Sequence, residues 1–391
     1  MIDAEGPMRS SALAKIGDIA ADAGIRRIHV LAWRDLDDVE AGGSELHAAT
    51  VARLWAEAGL DVVLRTSYAQ GQPPRMRRDG YDVVRRAGRY LVFPRAVGAE
   101  LLGRHGERDA LVEIWNGVPF FSPLWARGPK VVLLHHVHAE MWKMVLGDEA
   151  PWLAKAGDIL ERRIAPLAYR RSSIVTLSES SKADIVAQLH LHPERVVVVP
   201  PGVASAFTPG GARTAQPSVV AVGRLVPVKR YDRLIRAVAI ARRARPDITL
   251  TIVGDGYERV ALEGVVRDLD AESWVRLAGR VDEARLVELY RSAWLVGSAS
   301  AREGWGMSLT EAAACATPAV ATRIPGHIDA VADGISGLLT DESEQAIGAG
   351  VLRLVSDDAF RARLGSGALA DAARHTWTAT AAGIIQALAD S

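Results

Sequence analysis

Short apolar runs alternate with helical periodicities along almost the whole chain. The runs at 27–33 (RIHVLAW), 61–67 (DVVLRTS), 81–86 (YDVVRR), 110–115 (ALVEIW), 130–136 (KVVLLHH), 173–178 (SIVTLS) and 195–200 (RVVVVP) are rich in β-branched residues. Such runs suit strands buried on both faces, and strands alternating with helices imply parallel α/β sheets. A helical stretch at about 44–58 follows the first run. Residues 152–171 place Leu153, Ala156, Leu160, Ile164 and Leu167 on one stripe. That is amphipathic-helix spacing, in which the apolar stripe ordinarily faces a core.

A second series begins after residues 200–217 (PPGVASAFTPGGARTAQP), which are rich in Pro, Gly and small residues and read as a linker. Strand-like runs resume at 218–223 (SVVAVG), 248–254 (ITLTIVG), 274–279 (WVRLAG), 294–299 (WLVGSA) and 318–322 (PAVAT). The expected fold is α/β, with two doubly wound Rossmann-like domains, 1–204 and 205–375, facing across a cleft. The last helical stretch, 376–391, can pack on either and is assigned to the first. Open parallel sheets bind ligands beyond the carboxyl ends of their strands.

A chain of 391 residues, 49% apolar and 24% charged, can build two cores. Formal net charge is zero, so nothing global points to nucleic acid. Cys315 is the only cysteine, which fits a reducing cytoplasm. Neither a signal peptide nor a run of roughly 20 apolar residues is apparent.

Chemistry concentrates beyond the ends of the second series of strands. Residues 300–318 (SAREGWGMSLTEAAACATP) hold Glu303 and Glu311 on either side of a turn with Gly304 and Gly306. Ser308 and Glu311 have the spacing of a capping box, and a helix starting there presents free amides and a positive dipole end to an anion. Residues 222–235 (VGRLVPVKRYDRLI) put Arg224 and Lys229 after a strand, as a bidentate and a point-charge phosphate partner. Gly254 opens a further glycine turn, GDG (254–256). Each feature alone has a plain structural explanation: a helix cap, surface cations, a tight turn. Together they describe a nucleoside diphosphate site, with a carboxylate for sugar hydroxyls.

These segments resemble the retaining glycosyltransferases of the GT-B fold, in the large family four group. The resemblance spans nearly the whole chain and is strongest from about 196 to 340. It implies that Glu303, Gly304 and Trp305 lie by the donor sugar, and that Glu311 accepts bonds from the ribose. It also implies that Arg224, Lys229 and the turn Gly306, Met307 and Ser308 hold the diphosphate. Gly254, with Arg280 and Val281 in AGRV (278–281), matches the loops around the nucleotide base. Arg230 stands where the family usually has Gly. In the N-terminal half, 40–67 look like the family's first loop and helix. Gly42 and Gly43 there bring amides to the donor phosphates, and Ser44 is a plausible cap. The resemblance makes the first domain the acceptor side and the second the donor side.

Three histidines fall within 129–143 (PKVVLLHHVHAEMWK). A metal is not expected, because His135 and His136 project to opposite faces of an extended chain. The family carries a histidine near the reacting sugar at this strand's end. Counting along the strand gives His135 that place, with His138 and His136 in reserve. The six arginines of 75–90 read as a solvated β-rich edge; the alternative, together with 161–171, is a basic surface for anionic lipid.

The expected reaction moves a hexose from a UDP- or GDP-sugar to an acceptor hydroxyl with retention, in glycan, glycolipid or glycoside biosynthesis. His135 and Glu303 are the catalytic candidates. No cofactor is expected, since cations and amides can replace a metal at the departing phosphate. The expected partners are the nucleotide sugar and a sugar, glycolipid or small-molecule acceptor, at a cytoplasmic location or the inner face of the membrane. The rivals are a sugar-nucleotide 2-epimerase of similar fold and a non-catalytic sugar-nucleotide-binding protein.

Overall fold

The computed structural model describes residues 5–138, Trp142 and 151–391. The chain divides into two compact units, Met1–Gly202 with Trp377–Ser391, and Val203–Thr376.

The first unit is built on an eight-stranded sheet. In chain order its strands are β1 (Arg27–Leu31), β2 (Asp61–Thr66), β3 (Arg75–Arg78), β4 (Tyr81–Arg85), β5 (Ala110–Ile114), β6 (Lys130–Leu133), β7 (Ser173–Thr176) and β8 (Val196–Val198). They are arranged β3-β4-β2-β1-β5-β6-β7-β8. All pairs are parallel except β3 with β4, an antiparallel hairpin at the edge. Helices α1 (Glu5–Asp22), α2 (Gly43–Glu57), α3 (Val92–Leu101), α4 (Pro151–Ile159), α5 (Ala165–Tyr169) and α6 (Glu179–Leu189) supply the crossovers and covers.

The second unit has six parallel strands. They are β9 (Ser218–Val222), β10 (Thr249–Val253), β11 (Val275–Gly279), β12 (Leu295–Ser298), β13 (Ala319–Thr322) and β14 (Gly337–Thr340), in the order β11-β10-β9-β12-β13-β14. Its longer helices are α7 (Tyr231–Arg242), α8 (Arg259–Asp268), α9 (Glu283–Ser292), α10 (Met307–Ala314), α11 (Glu344–Ser356) and α12 (Asp358–Ala372). The final helix, α13 (Trp377–Ala389), packs against α1 and α2 of the first unit, and the Trp55 indole donates to the Ala381 carbonyl at 3.1 Å.

The strand runs read from sequence all form; the central ones are buried on both faces, while β8 and β11, at the sheet edges, are partly exposed. The exceptions to apolarity inside strands are paired. Buried Arg65 donates to the carbonyls of Thr66, Val84 and Arg86. Buried Arg85 donates to Asp35 and Asp37. This pairing narrows the basic-surface alternative for 75–90. Arg78 also grips Asp35 and Asp37, and Arg89 grips Asp38 and Glu40, so half of that tract's arginines are neutralised by the acidic loop after β1.

Two more expectations change. Residues 203–217 are not a loose tether: Phe207 is buried in the second unit's core, and Arg213 donates to Ala293, Ala316 and Thr317. The stripe in 152–171 also faces the other way. Ala154, Gly157, Glu161, Ala165 and Tyr169 are buried, while Ile164 and Leu167 are exposed. A π turn at Leu160–Ile164 interrupts the helix and turns Glu161 into the core. Such turns recur at functional sites.

Candidate functional site

In the second unit the strand order reverses at β9, which lies between β10 and β12. Crevices beyond such a switch point are where doubly wound sheets bind ligands. Lys229 follows β9 and Glu303 follows β12, and the two meet there. Lys229 Nζ lies 2.5 Å from Glu303 Oε1, and Ser300 Oγ donates to the same oxygen at 2.8 Å. The Ala301 amide donates to the Val228 carbonyl at 2.8 Å, which ties the two loops together. Burial pushes the Glu303 carboxyl up, but Lys229, His327 and the Ser300 hydroxyl outweigh it and hold the group below its ordinary value.

His327 is wholly buried beside this pair. Its Nδ1 is 2.9 Å from the Thr322 carbonyl, which can only accept, so Nδ1 carries the proton and Nε2 faces Ser298 Oγ at 3.2 Å. Gly326 has φ +85°, and a Cβ there would sit 2.7 Å from the Glu303 carbonyl oxygen. Only glycine lets the 324–327 turn press against the Glu303 loop.

The turn that follows opens α10. Gly304, Trp305 and Gly306 are buried, while Met307 and Ser308 are half-buried in its first turn. Trp305 meets His375 edge-on at 5.1 Å. The expected capping box is absent. The N-cap is Gly306, at φ +113°, with no side-chain cap, so Ser308 lies inside the helix. Glu311 instead accepts from the Tyr290 hydroxyl at 3.0 Å. Burial, with a smaller contribution from Glu283, pushes its carboxyl up to about 7.

The glycine loops pack backbone on backbone. A Cβ on Gly254 would lie 2.0 Å from the Gly223 carbonyl oxygen, and one on Gly256 would lie 2.3 Å from that of Leu225. The Gly254 amide donates to the Gly279 carbonyl at 2.8 Å. The loops after β9, β10 and β11 therefore lie side by side. Arg224 is half-buried on the first of them; after β11, Arg280 is exposed and Val281 half-buried. Arg230, where the family usually has Gly, takes left-handed φ +48° and binds Asp232 at 3.0 Å.

In the first unit Gly42 is the N-cap of α2 and Gly43 its first residue. Ser44 is not the cap. Its hydroxyl donates to Glu45 at 2.9 Å, and Glu45 accepts from the Gly42 amide at 2.8 Å. Beyond β6, His135 is buried, with its Nε2 3.2 Å from Nδ1 of His47. His47 in turn lies against Trp377, 5.7 Å between ring centres. Burial lowers His135 to about 4 and His47 well below its usual value, so both rings are neutral at pH 7.

His138 is held differently. Its amide donates to Glu161 Oε1 at 2.9 Å, and its ring Nδ1 lies 3.3 Å from the same oxygen. Nε2 lies 2.8 Å from the Asn116 amide oxygen, and the Trp142 indole donates to the other Glu161 oxygen at 3.2 Å. Asn116 stands in a loop fixed by a second buried acid. Glu113 accepts from the Phe120 and Ser122 amides and the Tyr169 hydroxyl. His136 stacks over His138 at 4.6 Å.

The sequence reading missed Ser300, His327, Tyr290, Asn116 and Glu161. Glu161 had no legible signal, because an acid opposite an apolar stripe reads as a solvated position. Ser300 is local to the Glu303 loop, and the others are brought in by elements distant in sequence. Among the described residues no three His, Cys, Asp or Glu side chains group to hold a metal. Asp-x-Asp triplets, which mark metal-dependent transferases, occur at Asp35–Asp37 and Asp268–Asp270. The first is bound by Arg78 and Arg85; the second ends α8, toward the amino edge of the sheet.

Comparison with known proteins adds the lineage. Residues 206–371 match the family described as Glycosyl transferases group 1, and residues 41–207 match Glycosyltransferase Family 4. The chain is 31% identical to D-inositol 3-phosphate glycosyltransferase of Acidothermus cellulolyticus, covering 90% of this chain and 86% of that one. It is 32% identical to the protein of the same name in Salinispora arenicola, covering 89% and 87%. Sucrose-phosphate synthase of Thermosynechococcus elongatus shares the fold, with a TM-score of 0.78 at 19% identity over 91% of this chain and 96% of that one. HepE of Anabaena, solved with UDP and glucose, has a TM-score of 0.73 at 18% identity over 94% and 100%. The chain thus belongs to the family four glycosyltransferases and has their GT-B fold of two Rossmann-like domains.

Proposed function

We propose that the protein transfers a hexose from a nucleoside diphosphate sugar to an acceptor hydroxyl, with retention and without a metal. The meeting of Lys229 with Glu303 at the switch point, beside the N-terminus of α10, carries the reading. Unliganded, the ammonium rests on the carboxylate. With donor bound, Lys229 and Arg224 take diphosphate oxygens, and the amides of Met307 and Ser308 add the helix end. Glu303 then takes hydroxyls of the donor sugar beside Gly304, and Glu311 takes ribose hydroxyls. The loops bearing Gly254, Arg280 and Val281 border the base. The Gly42 amide, in the first unit, already donates to Glu45 and is not counted among the phosphate donors.

In the reaction the bond from the anomeric carbon to the β-phosphate oxygen breaks. A bond to the acceptor oxygen forms on the same face, and the acceptor's proton passes to the departing phosphate. Charge on that phosphate is the main barrier, and fixed cations and amides stabilise it where it develops. Because these groups supply the positive charge, turnover in EDTA is expected.

For the histidine by the sugar, the reading prefers His138 to His135. The His135 ring is occupied by His47 inside the wall of α2 and α13. His138 is clamped on a buried carboxylate, as a group that orients a sugar hydroxyl needs to be. Glu161 is then a positioning residue acting through His138.

Two relatives are named for D-inositol 3-phosphate, which makes a phosphorylated polyol the first acceptor to try; HepE was solved with UDP, which makes uridine the first base. The test incubates the enzyme with UDP- and GDP-hexoses, with and without D-inositol 3-phosphate and simple sugars. A glycosylated product of unchanged anomeric configuration is expected. Epimerised sugar nucleotide formed without acceptor would make the rival enzyme the answer. Tight donor binding with neither product nor hydrolysis would make the protein a sensor.

A further inference from the structure

The reversed stripe on residues 151–169 leaves a surface that the catalytic reading does not use. Its inward face is Ala154, Gly157, Glu161, Ala165 and Tyr169. Its outward face carries Trp152, Ile159, Ile164 and Leu167, with Trp152 73% and Leu167 70% exposed. Lys155, Arg163, Arg170 and Arg171 are exposed on the same segment. Its two acids do not offset them, because Glu161 is buried and Asp158 pairs with Arg162 at 2.8 Å. Beside Leu167 runs a groove of about 420 Å³, walled by Leu124 and Leu167 and by Lys130, Arg170, Arg171 and Arg195. No side-chain carboxylate lines it; Ser391 does, and its hydroxyl accepts from the Lys130 amide at 2.9 Å.

A large apolar side chain left in water has a cost, and several on one short segment mark a contact surface. The chemistry of these side chains selects the contact. Apolar side chains with a tryptophan among them, on a segment flanked by cations that have no ion pair among the described residues, match the boundary of an anionic bilayer. A second copy is a poor occupant, since a two-fold contact would set these cations against one another. We propose that the outward face of residues 151–171 docks on an anionic membrane. Trp152, Ile159, Ile164 and Leu167 enter the acyl boundary. Lys155, Arg163, Arg170 and Arg171 pair with lipid phosphates, and the groove with Lys130 and Arg195 holds one headgroup. The attachment is peripheral, since no helix among the described residues is long and apolar enough to cross a membrane. It stands independently of the catalytic reading.

Flotation of the full chain with lipid vesicles tests this. Vesicles of phosphatidylcholine with about a third phosphatidylglycerol should carry the protein up at low salt and release it at high salt, whereas phosphatidylcholine alone should not. Two double variants, Trp152→Ser with Leu167→Ser and Arg170→Glu with Arg171→Glu, should each cut flotation about tenfold or more while keeping wild-type melting and donor binding. Failure of the wild-type chain to float with anionic vesicles overturns the proposal. So do variants that float like wild type. A concentration-dependent dimer abolished by the serine pair would reassign the face to a second copy.

Discussion

Among single residues, Lys229 bears the most on function. Its ammonium touches a candidate catalytic carboxylate, Glu303. Lys229→Ala should therefore raise the donor dissociation constant and lower kcat together, by about tenfold or more each. It should also cost about 1–3 kcal/mol, because Glu303 keeps its burial and loses its partner. Calorimetric titration and a denaturation curve on one preparation read both effects. Donor affinity unchanged from wild type would remove Lys229 from the diphosphate. Glu311 makes a different, pH-dependent prediction. Its ordinary value of 4.5 is raised to about 7 in the fold, so the native chain binds a proton as pH falls through about 7 that the unfolded chain binds only near 4.5. This group thus adds stability between those values as pH falls, the reverse of a salt-bridged acid. Ribose hydroxyls need the ionised form, so donor affinity should be full above pH 7 and drop toward tenfold per unit below it. Binding near neutrality should release part of a proton, seen as a buffer-dependent enthalpy, and Glu311→Gln should abolish both the slope and the release. A slope unaltered in that variant would refute the ribose role. Glu161→Gln leaves the buried clamp in place but alters what the His138 ring can share with it. kcat should fall about tenfold with donor KM little changed and a shifted pH profile, and Glu161→Asp should recover part of it. His138→Ala with normal turnover would sink the histidine assignment itself. Normal Glu161→Gln kinetics beside a dead His138→Ala would sink only the positioning role.

Elements show what the sequence could and could not say. Strands were legible because burial on both faces writes itself as an unbroken apolar run, whatever the neighbours. A helix is less explicit. Its pattern tells which positions are apolar but not on which side the sheet lies: Ala154, Gly157, Glu161, Ala165 and Tyr169 are buried here, while the larger Ile164 and Leu167 face out. That is why residues 152–171 were read with the wrong face inward. The capping box failed for a related reason. The Ser308–Glu311 spacing is local, whereas the Tyr290 hydroxyl that claims Glu311 arrives from α9. Glycine turns were legible as turns, but their reason is tertiary: Gly254 is needed because the Gly223 carbonyl occupies the place of its Cβ. Gly254→Ala therefore pits a methyl against backbone, at φ +131°, where neither side can yield cheaply. We expect a loss of about 3 kcal/mol or more, read as an earlier denaturation midpoint, and donor binding reduced in whatever fraction still folds. A variant as stable as wild type would mean that the three loops do not abut.

On the scale of the whole molecule, each unit has its own buried core. One centres on Val132, Ile174, Ile185 and Tyr169, the other on Val219, Leu234, Ile252 and Val351. A chain with two cores need not unfold as one, and a single melting temperature need not describe it. Division into two α/β halves was readable from the repeated strand–helix rhythm, and the candidate donor groups from their place after strands. The network that tethers the acidic loop after β1 was not, since Asp35, Asp37, Asp38 and Glu40 meet arginines some 40–50 positions away. A formal charge of zero conceals that internal pairing. The two-core organisation gives a sharp test of the donor assignment. UDP lacks the sugar, so its contacts in the proposed reading are mostly with Lys229, Arg224, Glu311 and the glycine loops, all within Val203–Thr376. A ligand that binds only the native state at a hundredfold its dissociation constant adds about 2.7 kcal/mol. For a unit of this size that is about 5–10 °C. In a calorimetric scan, UDP or GDP should move the transition of the second unit by that amount and the other much less. EDTA should change neither, because the phosphates rest on side chains and amides. Lys229→Ala should lose most of the shift. A shift that requires added metal, or one that survives in Lys229→Ala, would place the diphosphate elsewhere in the chain.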